Sequence, residues 1–195
     1  MVAKTRIGVL VSGGGTNLQA LLDAQESGIL TAGEISLVAT SNPQAYALER
    51  SQKAGVATYV FSTEDDLLLQ LQAENIQLLV LAGFLKILSK EFIQSFGGPI
   101  LNVHPALIPS FCGKGAYGLH VHEMALDYGV KVTGATVHFV NEIPDGGKII
   151  AQKAVAVEVG DTPETLQRRV MEQAEWILLP QATQQIAEAI QKGRV

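Results

Sequence analysis

The chain has little cysteine, few aromatic residues and no excess of positive charge. Its 195 residues include one Cys, one Trp and 6% aromatic residues. A single thiol cannot close an internal disulfide, so nothing points to an oxidising compartment and a cytoplasmic protein is expected. The 14 Lys and Arg against 19 Asp and Glu leave a net charge of −5. That balance argues against the broadly basic surface of a nucleic-acid binder. The first apolar run, Ile7 to Val11, stops at a glycine cluster. It is too short for a membrane span and lacks a signal-peptide cleavage pattern. No Gly-Lys-Ser or Gly-Lys-Thr triplet occurs, which excludes the nucleoside-triphosphate loop. No metal site is expected: His120 and His122 stand two apart at a helix start with no third ligand. The lone Cys112 has no evident base to activate it.

What the chain does have is a 47% hydrophobic composition and a regular alternation of elements. A folded chain of this mass exposes about 9,000 Å² of the about 30,000 Å² it exposes unfolded, so one sizeable core is possible. Residues 1–195 are read as a single domain. Apolar runs at Arg6–Ser12, Glu34–Ser41, Thr58–Phe61, Leu78–Ala82 and Ile100–His104 suit buried strands. Helical spacing recurs over Asn17–Ser27, Ala45–Ala54, Glu64–Asn75, Ser89–Phe96 and Leu119–Tyr128. Val132–Val140 and Lys148–Val159 read as longer, antiparallel strands. Asp161-Thr162-Pro163-Glu164 starts a last helix running to about Lys192. Together these imply an α/β fold: an open, mostly parallel, Rossmann-like sheet with helices on both faces. The irregular stretch Pro105–Gly118 is long for a compact domain and marks a functional loop.

Four segments could carry chemistry. Ser12-Gly13-Gly14-Gly15-Thr16-Asn17 joins the first strand to the first helix. It reads either as a tight turn or as a phosphate loop, in which helix-start N–H groups face an anion. The third glycine of a dinucleotide fingerprint falls on Leu18, and no acid follows the second strand, so a phosphomonoester fits better than NAD. Asn102 and His104 share one face at a strand's C-terminal end. They are either a satisfied core pair or an amide and an imidazole for a developing oxyanion. Asp145-Gly146 is either a hairpin turn or an acid that contacts His104 and raises its pKa. Leu85, Lys86, Ile87 and Leu88 follow a strand end, as a buried connection or as the wall of an apolar pocket. His138 fits a core position as well as a site.

These segments, taken in order, resemble the folate-dependent formyltransferases over nearly the whole chain. The likeness rests on Val11–Ala20, Leu81–Ser89, Leu101–Pro109, Gly134–Val140, Asp145–Gly147 and Ile149–Gln152. It implies the formyltransferase fold. It also implies transfer of a formyl group from 10-formyltetrahydrofolate to the amine of glycinamide ribonucleotide in purine synthesis. By the same resemblance Asn102, His104 and Asp145 form the catalytic trio, with His104 protonated beside Asp145. Gly15, Thr16, Asn17 and Glu175 would hold the ribotide. Leu85, Lys86, Ile87, Leu88 and Asn102 would hold the folate.

The sequence departs from the family pattern in three places. Trp176 follows Glu175 where a His is usual, with one extra residue before the pair. Lys86 stands where Arg is common. Ser62–Asp66 is acidic, so no folate contact carries over there. Related readings are a formyltetrahydrofolate hydrolase and a ligand-binding relative without catalysis. The hydrolase and the tRNA-directed relatives usually carry a further domain at one end. The first strand begins near Arg6 and the chain ends at Val195, so the catalytic core alone is expected. A monomer and a homodimer fit equally well.

Overall fold

The computed structural model describes residues 3–195. Six strands running one way and one reversed strand build one seven-stranded sheet. The elements run β1 (Thr5–Leu10), α1 (Thr16–Glu26), β2 (Gly33–Thr40), α2 (Ala47–Lys53), β3 (Ala57–Val60), α3 (Glu64–Ala73), β4 (Leu78–Leu81) and α4 (Lys90–Phe96). They continue with β5 (Ile100–His104), α5 (Leu119–Tyr128), β6 (Val132–Phe139), β7 (Ile149–Ala156), α6 (Pro163–Val170), a π-helical turn at Met171–Glu175, and α7 (Trp176–Gln191). The strand order is β3-β2-β1-β4-β5-β6-β7. The sequence therefore places every strand and the antiparallel pair, within a few residues at the ends.

Side-chain alternation sorts the core into two layers. On β1, Ile7 and Val9, with Val11 just beyond it, face the layer that also holds Leu18, Leu21 and Leu22 of α1 and Leu178, Leu179 and Ile186 of α7. Leu10 faces the other layer, with Leu67 and Leu71 of α3 and Phe92 of α4. On β5, Leu101 and Val103 join the first layer. Ile100 joins the second, so Asn102 and His104 share its face at the strand's end. The exposed area of 9651 Å² agrees with the surface-scaling expectation.

The final helix departs from the expected single α-helix. Its start is capped by Thr162, whose side chain accepts the Thr165 N–H while Thr165 returns the bond. Asp161 instead pairs with Arg169, at 2.6 Å from Nη2. Between Met171 and Glu175 the helix widens into a π turn before α7 resumes. Such a turn absorbs an added residue without misaligning the α-helical stretches on either side. The turn falls where the resemblance implies one extra residue before Glu175.

The stretch from Pro105 to Gly118 forms no helix or strand, yet it is tied to the sheet. Thr136 Oγ1 donates to Ala106 O at 2.7 Å and accepts the Ile108 N–H at 3.1 Å. Gln152 Nε2 donates to Ile108 O at 3.0 Å.

Candidate active site

In an open α/β sheet, ligands bind beyond the C-terminal strand ends where the strand order reverses. Here β1 and β4 are neighbours and their connections leave in opposite directions. A cavity of about 540 Å³ opens at that end of the sheet. Asn17, Leu85, Lys86, Ile87, Leu88, Asn102, His104, Asp145 and Glu175 all line it. Segments far apart in sequence are thus gathered into one chamber.

The glycine loop is built for close approach. Gly15 caps α1 with φ +72°, and a Cβ there would lie 2.6 Å from the Ala47 Cβ. Only glycine meets both demands. Gly13 and Gly14 face open space, while Arg50 Nε donates to Gly14 O at 2.8 Å. Ser12 joins this loop to the one after β4: its Oγ accepts the Leu85 N–H at 2.9 Å and its N–H donates to Gly83 O at 3.2 Å. Asn17 turns into the main cavity, whereas Thr16 lines a second hollow of about 500 Å³. Gly15 lines neither.

Asn17 Nδ2 donates to Glu175 Oε2 at 2.7 Å. Glu175 is 6% exposed, and burial pushes its carboxyl up to about 7 although the Asn17 bond opposes this. Glu175 ends the π turn and faces the main cavity, while Trp176 lines the second hollow. The unusual Trp is therefore not a competing group in the main chamber.

Leu85, Lys86 and Ile87 are exposed at the cavity rim and Leu88 is buried. With Ile143, which is 61% exposed, they give one wall an apolar character. By contrast, Ser62–Asp66 serves the scaffold. Thr63 caps α3 by accepting the Asp66 N–H, and Glu64 accepts the Ser89 N–H at 3.0 Å.

His104 and Asp145 meet, as the second reading of each required. His104 Nδ1 lies 3.6 Å from Asp145 Oδ2, and His104 Nε2 lies 2.8 Å from Phe111 O. A carbonyl only accepts, so Nε2 carries a proton and Nδ1 faces the acid. Asp145 Oδ2 also accepts the Gly113 N–H at 2.8 Å. Asp145 has φ 55°, which Asp tolerates in a turn. The residue is thus both turn former and site acid.

Burial pushes the Asp145 carboxyl up, but its hydrogen-bonding and charged surroundings, the Gly113 N–H among them, hold it below the ordinary range. One expectation is corrected. Burial of His104 outweighs the attraction of Asp145 and the Phe111 carbonyl, so its pKa is lowered rather than raised.

Two histidines carry more than the sequence assigned them. His138 sits opposite Asn102 in the β5–β6 pairing, with Nε2 3.2 Å from Asn102 Nδ2. Strand register would have revealed this. His122 is fully buried against the same cavity, and both of its ring nitrogens lack a hydrogen-bond partner. Burial, reinforced by His104, holds it at about 4, so it is neutral.

A sequence-family model for formyl transferases matches residues 5–183. The chain belongs to the formyl transferase family. A phosphoribosylglycinamide formyltransferase from Haemophilus influenzae is 39% identical to this formyl transferase over 177 residues, covering 86% of this chain and 81% of that protein. The trifunctional purine biosynthetic protein adenosine-3 of Gallus gallus is 42% identical over 200 residues, covering 97% of this chain and 19% of that protein. The chain thus spans about a fifth of that longer relative. The crystal structure of glycinamide ribonucleotide transformylase 1 from Symbiobacterium toebii superposes with a TM-score of 0.88 at 39% identity, covering 95% of this chain and 89% of that one.

Among the described residues of this formyl transferase, no three His, Cys, Asp or Glu side chains gather as metal ligands. No helix among them is long and apolar enough to cross a membrane. Cys112 lies half-buried with Sγ 3.3 Å from Pro109 O. Burial and Asp145 push its thiol up, away from the reactive thiolate.

Proposed function

We propose that the protein transfers the formyl group of 10-formyltetrahydrofolate to the amine of glycinamide ribonucleotide. The observation that carries this reading is the convergence of Asn102, His104 and Asp145 in one cavity with Asn17, Glu175 and the Leu85–Leu88 wall. The apolar rim of Leu85, Ile87 and Ile143 suits a flat heteroaromatic co-substrate. The open glycine loop at the start of α1 suits a phosphate, with Gly15, Thr16 and Asn17 at its base. Glu175, held by Asn17, is an acceptor for the ribotide's amine-bearing arm. The free Cys112 thiol is in keeping with a cytosolic setting.

The formyl folate, when bound, supplies the activated one-carbon unit. Asn102 donates an amide N–H to the formyl oxygen as it gains negative charge. His104 enters neutral, because burial lowers its pKa. Its Nδ1 takes the proton that the attacking amine must lose. The imidazolium so formed lies beside the Asp145 carboxylate and next to the developing oxyanion. His104 then returns that proton to the departing folate nitrogen. One proton moves twice, and no covalent enzyme intermediate is needed. General acid–base help of this kind contributes about 10²–10⁴ in rate.

The deciding experiment follows folate release from 10-formyltetrahydrofolate with and without glycinamide ribonucleotide. Release that requires the ribotide, with formylated ribotide as product, is expected. Release that ignores the ribotide would make the enzyme a hydrolase, and binding of both ligands without release would make it a non-catalytic relative.

A further inference from the structure

Asn102 can stabilise an oxyanion only if its amide presents an N–H, and not its carbonyl oxygen, to the reacting atom. The two ends of an amide are nearly equal in shape, so something must choose between them. We propose that His138 makes this choice: it is a positioning residue that holds the Asn102 amide with its N–H groups toward the ring and the cavity. The proposal rests on the formyl-transfer reading above.

The geometry fixes the ring first. His138 is 2% exposed, and its Nδ1 lies 2.8 Å from Phe139 O. That carbonyl only accepts, so Nδ1 carries a proton, and in the neutral ring Nε2 presents a lone pair. Nε2 lies 3.2 Å from Asn102 Nδ2 and accepts one of its two N–H groups. The second N–H is left for the cavity that Asn102 lines. Rotating the amide by half a turn would set its oxygen against the Nε2 lone pair and lose the bond.

The backbone around His138 is shaped to hold the ring there. Its register with β7 slips by one residue between Val137 and His138, leaving Ile150 of β7 unpaired beside it. Gly147 leaves room for the carbonyl that grips Nδ1, because a Cβ there would lie 1.7 Å from Phe139 O. Asp145 Oδ1 stands 3.5 Å from Nε2, beyond a good hydrogen bond. Asp145 Oδ2, the other oxygen, takes the Gly113 N–H. Asn102 Nδ2, at 3.2 Å, is the nearer partner of Nε2.

The test compares His138→Phe with His138→Gln in the full chain. Gln can place an acceptor oxygen where Nε2 lies, and Phe cannot. His138→Phe is expected to lower kcat about 10²-fold, the usual scale for a lost oxyanion donor, with KM for both substrates unchanged within about threefold. His138→Gln should recover most of kcat. In an Asn102→Ala background, His138→Phe should add almost nothing, because the two act as one unit. Equal losses in both variants, a change in KM alone, or full additivity with Asn102→Ala would each overturn the proposal.

A second readout does not need turnover. Nitrogen NMR of the resting enzyme should show His138 protonated at Nδ1, and the Asn102 side-chain amide signal should move in His138→Phe. A proton on Nε2 instead of Nδ1 would overturn the proposal even if that variant fails to fold. If the unaltered enzyme fails to transfer formyl while the NMR result holds, the functional reading falls and the amide-orienting contact stands.

Discussion

Asn17 Nδ2 and Glu175 Oε2 lie 2.7 Å apart across 158 residues of sequence, joining the start of α1 to the π turn before α7. The carboxyl sits at about 7 against an ordinary 4.5 because burial penalises its charge. Its folded pKa is raised, so the folded state holds the proton more tightly than the unfolded chain does. This contribution to stability is fully present below about pH 4.5 and is lost as pH rises through about 7. The full difference is about 3 kcal/mol. Glu175→Gln should remove this slope, leaving the variant relatively more stable at pH 8 than at pH 5. Urea unfolding across that range checks the sign, and a variant whose slope matches the parent's would contradict it.

His104→Ala and Asp145→Ala should each cut kcat by about 10²–10⁴ while the fold survives. Asp145→Asn adds a directional test. Asp145 pulls the His104 pKa up against burial, so losing its charge should lower that pKa further. The acid limb of kcat/KM should then move to lower pH. Movement to higher pH would show that Asp145 does not act on His104 in this way.

Gly15→Val combines a left-handed backbone with a Cβ 2.9 Å from the Ala47 Cα. The backbone conformation alone costs about 1–2 kcal/mol. Displacement of the loop should weaken ribotide binding more than folate binding. Calorimetric titration with each ligand decides this, and a larger loss for folate would remove the glycine loop from the ribotide site.

Deleting exposed Gln173 should turn the π turn into ordinary α-helix, because the turn holds one residue beyond α-helical need. Glu175 should keep its place against Asn17, with kcat within a few-fold of the parent. A loss as large as that of a Glu175 variant would show that the wider turn is needed to aim the carboxyl.

Much of this was readable from the chain. Apolar runs and helix spacing located the strands and helices because burial on both faces leaves a dense local signal. Asn102, His104 and Asp145 stood out through strand-end position and turn chemistry. Their meeting did not, since spacing carries no distance across a hairpin. The pairing of His138 with Asn102 depends on antiparallel register, and the aim of Glu175 on how α6 and α7 are joined. The direction of the His104 shift depended on a competition. The sequence suggests the nearby acid, but burial in the folded chain outweighs it.

Phe111 O grips His104 Nε2 and Gly113 N–H grips Asp145 Oδ2. One short run of peptide thus acts as a calliper whose jaws set the 3.6 Å gap between the two side chains. Each side chain therefore has a main-chain partner besides the other, which restrains the gap as the proton comes and goes. Both jaws are main-chain atoms, and Gly113 supplies its jaw from a left-handed backbone, φ +90°, that favours glycine. Lengthening the run between them by one residue would uncouple the pair.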